Sequence, residues 1–71
     1  MAHPEYEHIG TPETLLIEEC SELIKALCKV QRFGWDSYHP FTSKSNMCKV
    51  REEIDDVLRA IQKLENLMRN M

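Results

Sequence analysis

Apolar residues recur at intervals of three and four positions in two long stretches of the chain. Side chains at that spacing lie along one side of an α-helix. The pattern predicts a first helix over 11–33 and a second over 46–70. We expect the two apolar stripes to pack against each other. Their residues are Leu16, Cys20, Leu23, Leu27 and Val30 in the first helix, and Met47, Val50, Ile54, Val57, Ile61, Leu64 and Met68 in the second.

Turn-forming residues separate the helices. Residues 1–10 lack periodicity and should form an arm, whereas 34–45 predicts a long connecting loop that contains several aromatic residues. A hydroxyl or amide side chain can accept a hydrogen bond from the free N–H groups at a helix start. We therefore expect Thr11 to cap the first helix, and Ser45 or Asn46 to cap the second.

The fold class that follows is all-α, a single domain built as a long antiparallel helical hairpin. A chain of 71 residues buries only a thin core unless it gains a partner. Two helices would leave further apolar positions exposed in a monomer, so we expect a homodimer that forms a four-helix bundle, or a homotetramer. These outer positions are Ile17, Ile24, Cys28, Leu58 and Leu67.

Composition excludes several classes of function. The formal net charge of −3 argues against a nucleic-acid binder, because such proteins usually carry a basic face. The three cysteines form no CxxC pair, which disfavours a zinc or disulfide framework. No apolar run approaches the roughly 20 residues that span a bilayer, so we expect a cytoplasmic protein that does not enter membranes.

Carboxylates stand at matching places beside the two stripes. Glu19 and Glu22 are one helical turn apart, and so are Glu53 and Asp56. If the stripes pack as an antiparallel hairpin, these side chains meet at one edge of the contact. There they would repel each other unless a hard divalent cation neutralised them. The spacing therefore predicts a site for Mg²⁺, with Mn²⁺ as a substitute.

Two sequence motifs around these carboxylates resemble those of a known family. IEECSEL at 17–23 resembles the EExxE motif of the MazG-like nucleotide pyrophosphohydrolases, in the all-α NTP pyrophosphatase superfamily, and EEIDDVL at 52–58 resembles their ExxD motif. The resemblance implies Mg²⁺-dependent hydrolysis of a ribo- or deoxyribonucleoside triphosphate to the monophosphate and pyrophosphate, in nucleotide-pool control. The metal ligands that it implies are Glu19, Glu22, Glu53 and Asp56.

Other residues are candidates for accessory and substrate-binding roles. Glu18 matches the first glutamate of the EExxE motif, but its helical angle turns it from the contact, so its role would be accessory. Lys29 and Lys49 could reach the phosphates, with Lys25 and Arg32 as weaker candidates. Trp35 or Tyr38 could stack on the base. The catalytic base that activates the attacking water stays open.

Other interpretations stand beside this one. Acidic residues on a helix usually form a solvated face, and Lys49 could simply pair with Glu53 one turn away. A non-catalytic oligomerisation or partner-binding hairpin is the main alternative function. A phosphoribosyl-ATP pyrophosphohydrolase, with the same fold and ion chemistry, is a weaker one.

Overall fold

The computed structural model describes residues 10–38, 41 and 43–71, and within them the chain forms two α-helices and no strand. Helix α1 spans Pro12–Phe33 and helix α2 spans Asn46–Arg69. The predicted all-α class is confirmed. The predicted N-terminal arm lies outside the described residues except for Gly10. Neither helix is long and apolar enough to cross a membrane.

Both ends of α1 have the caps that its sequence predicts. The Thr11 hydroxyl accepts a hydrogen bond from the Thr14 N–H at 3.1 Å, and a proline opens the first turn. At the other end Gly34 has φ of +88°, a conformation that favours glycine, and its N–H donates to the Val30 carbonyl at 2.7 Å. These local bonds fix where α1 begins and ends.

The connecting loop is hydrogen-bonded to the start of α2. Ser45 is the cap, since its hydroxyl accepts from the Cys48 N–H at 3.2 Å. Asn46 has a different role: its side-chain amide donates to the Gly34 carbonyl at 2.8 Å, and its backbone N–H donates to the Ser37 carbonyl at 2.8 Å. The loop thus joins the end of α1 directly to the start of α2, which makes the two helices antiparallel.

The helices pack along a narrow row of side chains that we call the seam. Ala26, Val50, Glu53 and Ala60 are its buried members, and Ala60 is only 1% exposed. Two of the four are alanines, one on each helix. Half-buried residues extend the row at intervals of three and four: Leu16, Glu19, Leu23, Val30, Asn46, Val57 and Leu64.

The seam differs from the predicted apolar stripes. Five stripe residues remain 37–58% exposed instead of filling the contact: Leu27, Met47, Ile54, Ile61 and Met68. That part of the prediction is wrong. Each helix carries more apolar residues than one neighbouring helix can cover, and the smallest exposed fractions fall on Ala60 and Ala26.

The remaining side chains separate onto two opposite faces of the hairpin. Each step along a helix turns the side chain by about 100° in a fixed sense. In antiparallel helices, the residues that follow seam positions in the sequence therefore share one face. The residues that precede seam positions share the other. The apolar face comprises Ile17, Ile24, Leu27, Met47, Ile54, Leu58 and Ile61; the charged face comprises Glu18, Glu22, Lys25, Lys29, Lys49, Glu52, Asp56, Arg59 and Lys63.

The exposure of the apolar face confirms one expectation from the sequence. The outer apolar positions predicted to be uncovered in a single chain are all exposed, with Ile17 at 69% the most exposed of them. A monomer therefore presents to water an apolar surface that both helices build.

The burial of Ala26 in the seam can be tested by enlarging its side chain. Ala26→Leu inserts three carbons into a packed site, so we expect it to lower the free energy of unfolding by about 1–3 kcal/mol. Gln31→Leu is the matched control, since Gln31 is exposed on the same helix. Urea unfolding followed by circular dichroism measures both; equal stability of the two variants would contradict the seam described above.

Candidate metal centre

Three carboxylates from the two helices meet at the charged edge of the seam. One oxygen atom from each of Glu19, Glu53 and Asp56 lies within 4.8 Å of the others. Helix α1 contributes Glu19, and α2 contributes the other two from successive turns. The antiparallel packing is therefore what brings together residues that are more than thirty positions apart in the sequence.

Glu53 is the most constrained member of this cluster. Only 5% of the residue is exposed, and it occupies a seam position where an apolar side chain would ordinarily pack. Its carboxylate Oε1 lies 3.5 Å from the Nζ of Lys49, one turn earlier on the same helix. A buried carboxylate is costly unless a cation pairs with it. The lysine, which is itself half exposed, supplies part of that compensation.

Two more ion pairs border the cluster. The Arg59 guanidinium Nη2 lies 2.6 Å from Asp56 Oδ1, and the Lys25 Nζ lies 3.5 Å from Glu22 Oε1. Glu22 is not one of the three clustered residues, and its side chain is 48% exposed. The structure brings together three of the four predicted ligands, and the metal role of Glu22 stays a prediction.

Glu19 forms no ion pair with the described basic residues, and negative side chains surround it. Partial burial, followed by the negative charges of Asp56, Glu53, Glu22 and Glu18, raises the pKa of Glu19 above its usual value. The group is therefore easier to protonate than an ordinary glutamate. A positive charge placed between these oxygens would reverse the effect.

The donor set fits a hard divalent cation. Every member offers carboxylate oxygen, and the described residues bring no histidine or cysteine into the cluster. Oxygen-only sites suit Mg²⁺ and Mn²⁺, whereas zinc sites usually include nitrogen or sulfur. Partial burial and the neighbouring carboxylates raise the pKa of Glu19, which is the effect that a cation held between these oxygens would oppose. Glu19, Glu53 and Asp56 are the residues that would hold the ion.

The remaining predicted site residues are not members of the cluster. Glu18, Lys29 and Arg32 are exposed side chains of α1. Trp35 is 47% exposed in the loop, and its carbonyl accepts a hydrogen bond from the Met47 N–H at 3.1 Å. These residues are available to a ligand on the surface.

Sequence reasoning missed one of the basic residues that pair with the carboxylates. Arg59 follows Asp56 by three positions. That spacing is a known signal for an ion pair on a helix surface, and it could have identified Arg59. Lys25, a weaker candidate for phosphate contact in the sequence, lies beside Glu22.

Compared with protein-family models, with curated proteins and with solved structures, the chain shows no match.

The raised pKa of Glu19 leads to a prediction about stability. A carboxyl group with a raised pKa favours the folded state at low pH, and this contribution is lost as the pH rises from the usual glutamate range through the raised pKa. Without divalent cations, we therefore expect Glu19→Gln to be more thermostable than the wild type near neutral pH. The difference should shrink towards about pH 4, where glutamates become protonated.

Thermal unfolding of both proteins in EDTA across that pH range makes the measurement. Glu65→Gln is the control, because Glu65 is exposed and lies outside the cluster. A gain in stability for Glu19→Gln that is the same at every pH would show that charge repulsion is not its cause.

Proposed function

We propose that the chain is a MazG-like nucleoside triphosphate pyrophosphohydrolase, dependent on Mg²⁺ or Mn²⁺, that acts on cytoplasmic nucleotide pools. The observation that carries the proposal is the cluster of Glu19, Glu53 and Asp56. Its members come from the two segments that resemble the EExxE and ExxD motifs. The packing of the helices unites residues that the resemblance assigns to one metal site.

The burial of Glu53 favours this function over a plain oligomerisation hairpin. A structural helix pair would be more stable with an apolar residue at a seam position, because a buried ion pair rarely repays its loss of hydration. Here the seam holds a glutamate that is 5% exposed, next to two more carboxylates. A divalent cation accounts for the whole arrangement.

The reaction would cleave the anhydride bond between the α- and β-phosphates with water, releasing the monophosphate and pyrophosphate. When bound, the metal supplies charge neutralisation and a more acidic water. Glu19, Glu53 and Asp56 would hold it in place. Lys49, which the structure places beside Glu53, can donate hydrogen bonds from its ammonium group to phosphate oxygens.

The loop end of the hairpin is the best location for the nucleoside. Lys29 and Arg32 lie on the last turns of α1, and Trp35 follows them. About half of the Trp35 residue is exposed, which leaves ring surface on which a base can stack. This end lies on the Lys49 side of the cluster, so a nucleotide would extend from the loop towards Asp56.

We further propose that a second copy of the chain covers the apolar face, forming a four-helix bundle. The apolar face and the charged face are opposite, so pairing through the first leaves both carboxylate clusters accessible. Leu58 and Ile24, at 58% and 61% exposed, lie on α2 and α1 respectively, so both helices would enter the interface. A homotetramer would require an additional contact.

The enzyme proposal is tested by pyrophosphate release from a panel of ribo- and deoxyribonucleoside triphosphates with Mg²⁺, Mn²⁺ or EDTA. We expect release only with a divalent cation, and a preference among bases. Glu53→Gln keeps the shape of the side chain but removes its charge. It should lower activity by more than about a hundredfold, since loss of a residue behind the ligands of a metal site already costs ~10–100-fold.

Glu65→Gln makes the same chemical change away from the cluster and should retain wild-type activity. Absence of release across the panel, in a protein that still forms oligomers, would favour the oligomerisation hairpin. Full activity of Glu53→Gln would remove this residue from the site.

The dimer is tested by sedimentation equilibrium. Leu58→Lys places a charge on the apolar face, and we expect it to shift the wild-type dimer towards monomer. Gln62→Lys adds the same side chain to an exposed position of α2 outside that face, and it should leave the dimer intact. A monomeric wild type, or dissociation by both variants alike, would contradict the proposed interface.

A further inference from the structure

Arg59 forms the shortest ion pair of the carboxylate cluster. The function proposed so far gives it no role. Its guanidinium lies 2.6 Å from one oxygen of Asp56, while its side chain remains 71% exposed. An ion pair this exposed contributes little to folding. The described contacts use one of the five N–H donors of the guanidinium.

The position of Arg59 along the hairpin distinguishes it from the other cations. Lys49 precedes the cluster on α2, on the side of the aromatic loop, and Arg59 follows it on the side of the α1 start. Ten residues separate them, which corresponds to about 15 Å along a helix. Both belong to the charged face, so a chain of phosphates that crosses the cluster would meet one cation on each side.

We propose that Arg59 binds the distal phosphates of the nucleotide, the pair that leaves as pyrophosphate. This inference rests on the proposed function, which places the nucleoside at the loop end. Without a metal the guanidinium neutralises Asp56. A divalent cation that takes the Asp56 oxygen competes with this pairing, and the guanidinium is then left beside the cluster with its donors available.

The chemistry of the side chain suits this role. A guanidinium presents N–H groups in a planar fork that matches two phosphate oxygens, and it stays charged at all physiological pH values. Lys63, one turn further along the same face, lies near Thr11 and Glu18 at the start of α1. It adds a second positive charge beyond Arg59, on the side away from the nucleoside.

The experiment measures binding with isothermal titration calorimetry, independently of turnover. Mn²⁺ is titrated first without phosphate ligands; pyrophosphate, and separately each common nucleoside monophosphate, is then titrated at saturating Mn²⁺. In Arg59→Ala we expect Mn²⁺ affinity to be unchanged or higher, because a competing cation is gone. Affinity for pyrophosphate should fall roughly ten- to hundredfold, the scale of a lost charged hydrogen bond, with monophosphate affinity unchanged.

Two variants complete the design. Arg59→Lys keeps the charge without the fork and should recover part of the affinity for pyrophosphate. Arg51→Ala removes the same charge from an exposed position of α2 that is not on the charged face, and it should behave as the wild type. Circular dichroism checks that each variant is helical.

The outcomes separate the two proposals. Weaker Mn²⁺ binding in Arg59→Ala would mean that Arg59 only positions Asp56, which overturns the inference. Unchanged affinity for pyrophosphate, or equal losses for both kinds of phosphate ligand, would overturn it as well. In each of these cases normal Mn²⁺ binding by the wild type leaves the proposed function standing, whereas a wild type that binds no Mn²⁺ overturns both.

Discussion

The contact between α1 and α2 positions the three clustered carboxylates, and one of them, Glu53, lies inside it. Two helices share only one contact surface, so the seam must both stabilise the hairpin and position the clustered carboxylates. Ala26, Ala60 and Glu53 are among its buried residues. Burying that charge opposes folding, since the only compensation in the described structure is Lys49 at 3.5 Å. The proposed cation would offset this cost by neutralising the Glu53 carboxylate.

The residue before each seam position lies on one face of the hairpin, and the residue after it lies on the other. This arrangement explains how so short a chain has two different surfaces. Residues just after the seam are mainly apolar, whereas residues just before it are charged, and antiparallel packing keeps the two sets on opposite sides. Assembly through the apolar face therefore does not have to obstruct the carboxylates. The same geometry places Lys49 on the loop side of the cluster and Arg59 on the side where α1 begins. The charged face therefore presents a different cation on each side of the cluster.

Folding and chemistry make opposite demands on the carboxylates. Glu22, Glu53 and Asp56 each have a basic residue within one turn on their own helix, whereas Glu19 has none among the described residues and its pKa is raised. The paired cations lower the cost of the cluster in the absence of metal.

The sequence by itself determined the helices, because capping and periodicity are local: Thr11, Ser45 and Gly34 set the boundaries through bonds to their own turns. It also predicted which carboxylates share a side of each helix, since that depends only on the helical repeat. Only the tertiary structure decided where the contact runs. The pattern centred it on bulky residues such as Leu27 and Ile61, but these stay exposed and the most buried positions are Ala60 and Ala26, because packing depends on both partners. That shift buried Glu53 and joined it to Glu19 and Asp56, which no single helix could specify.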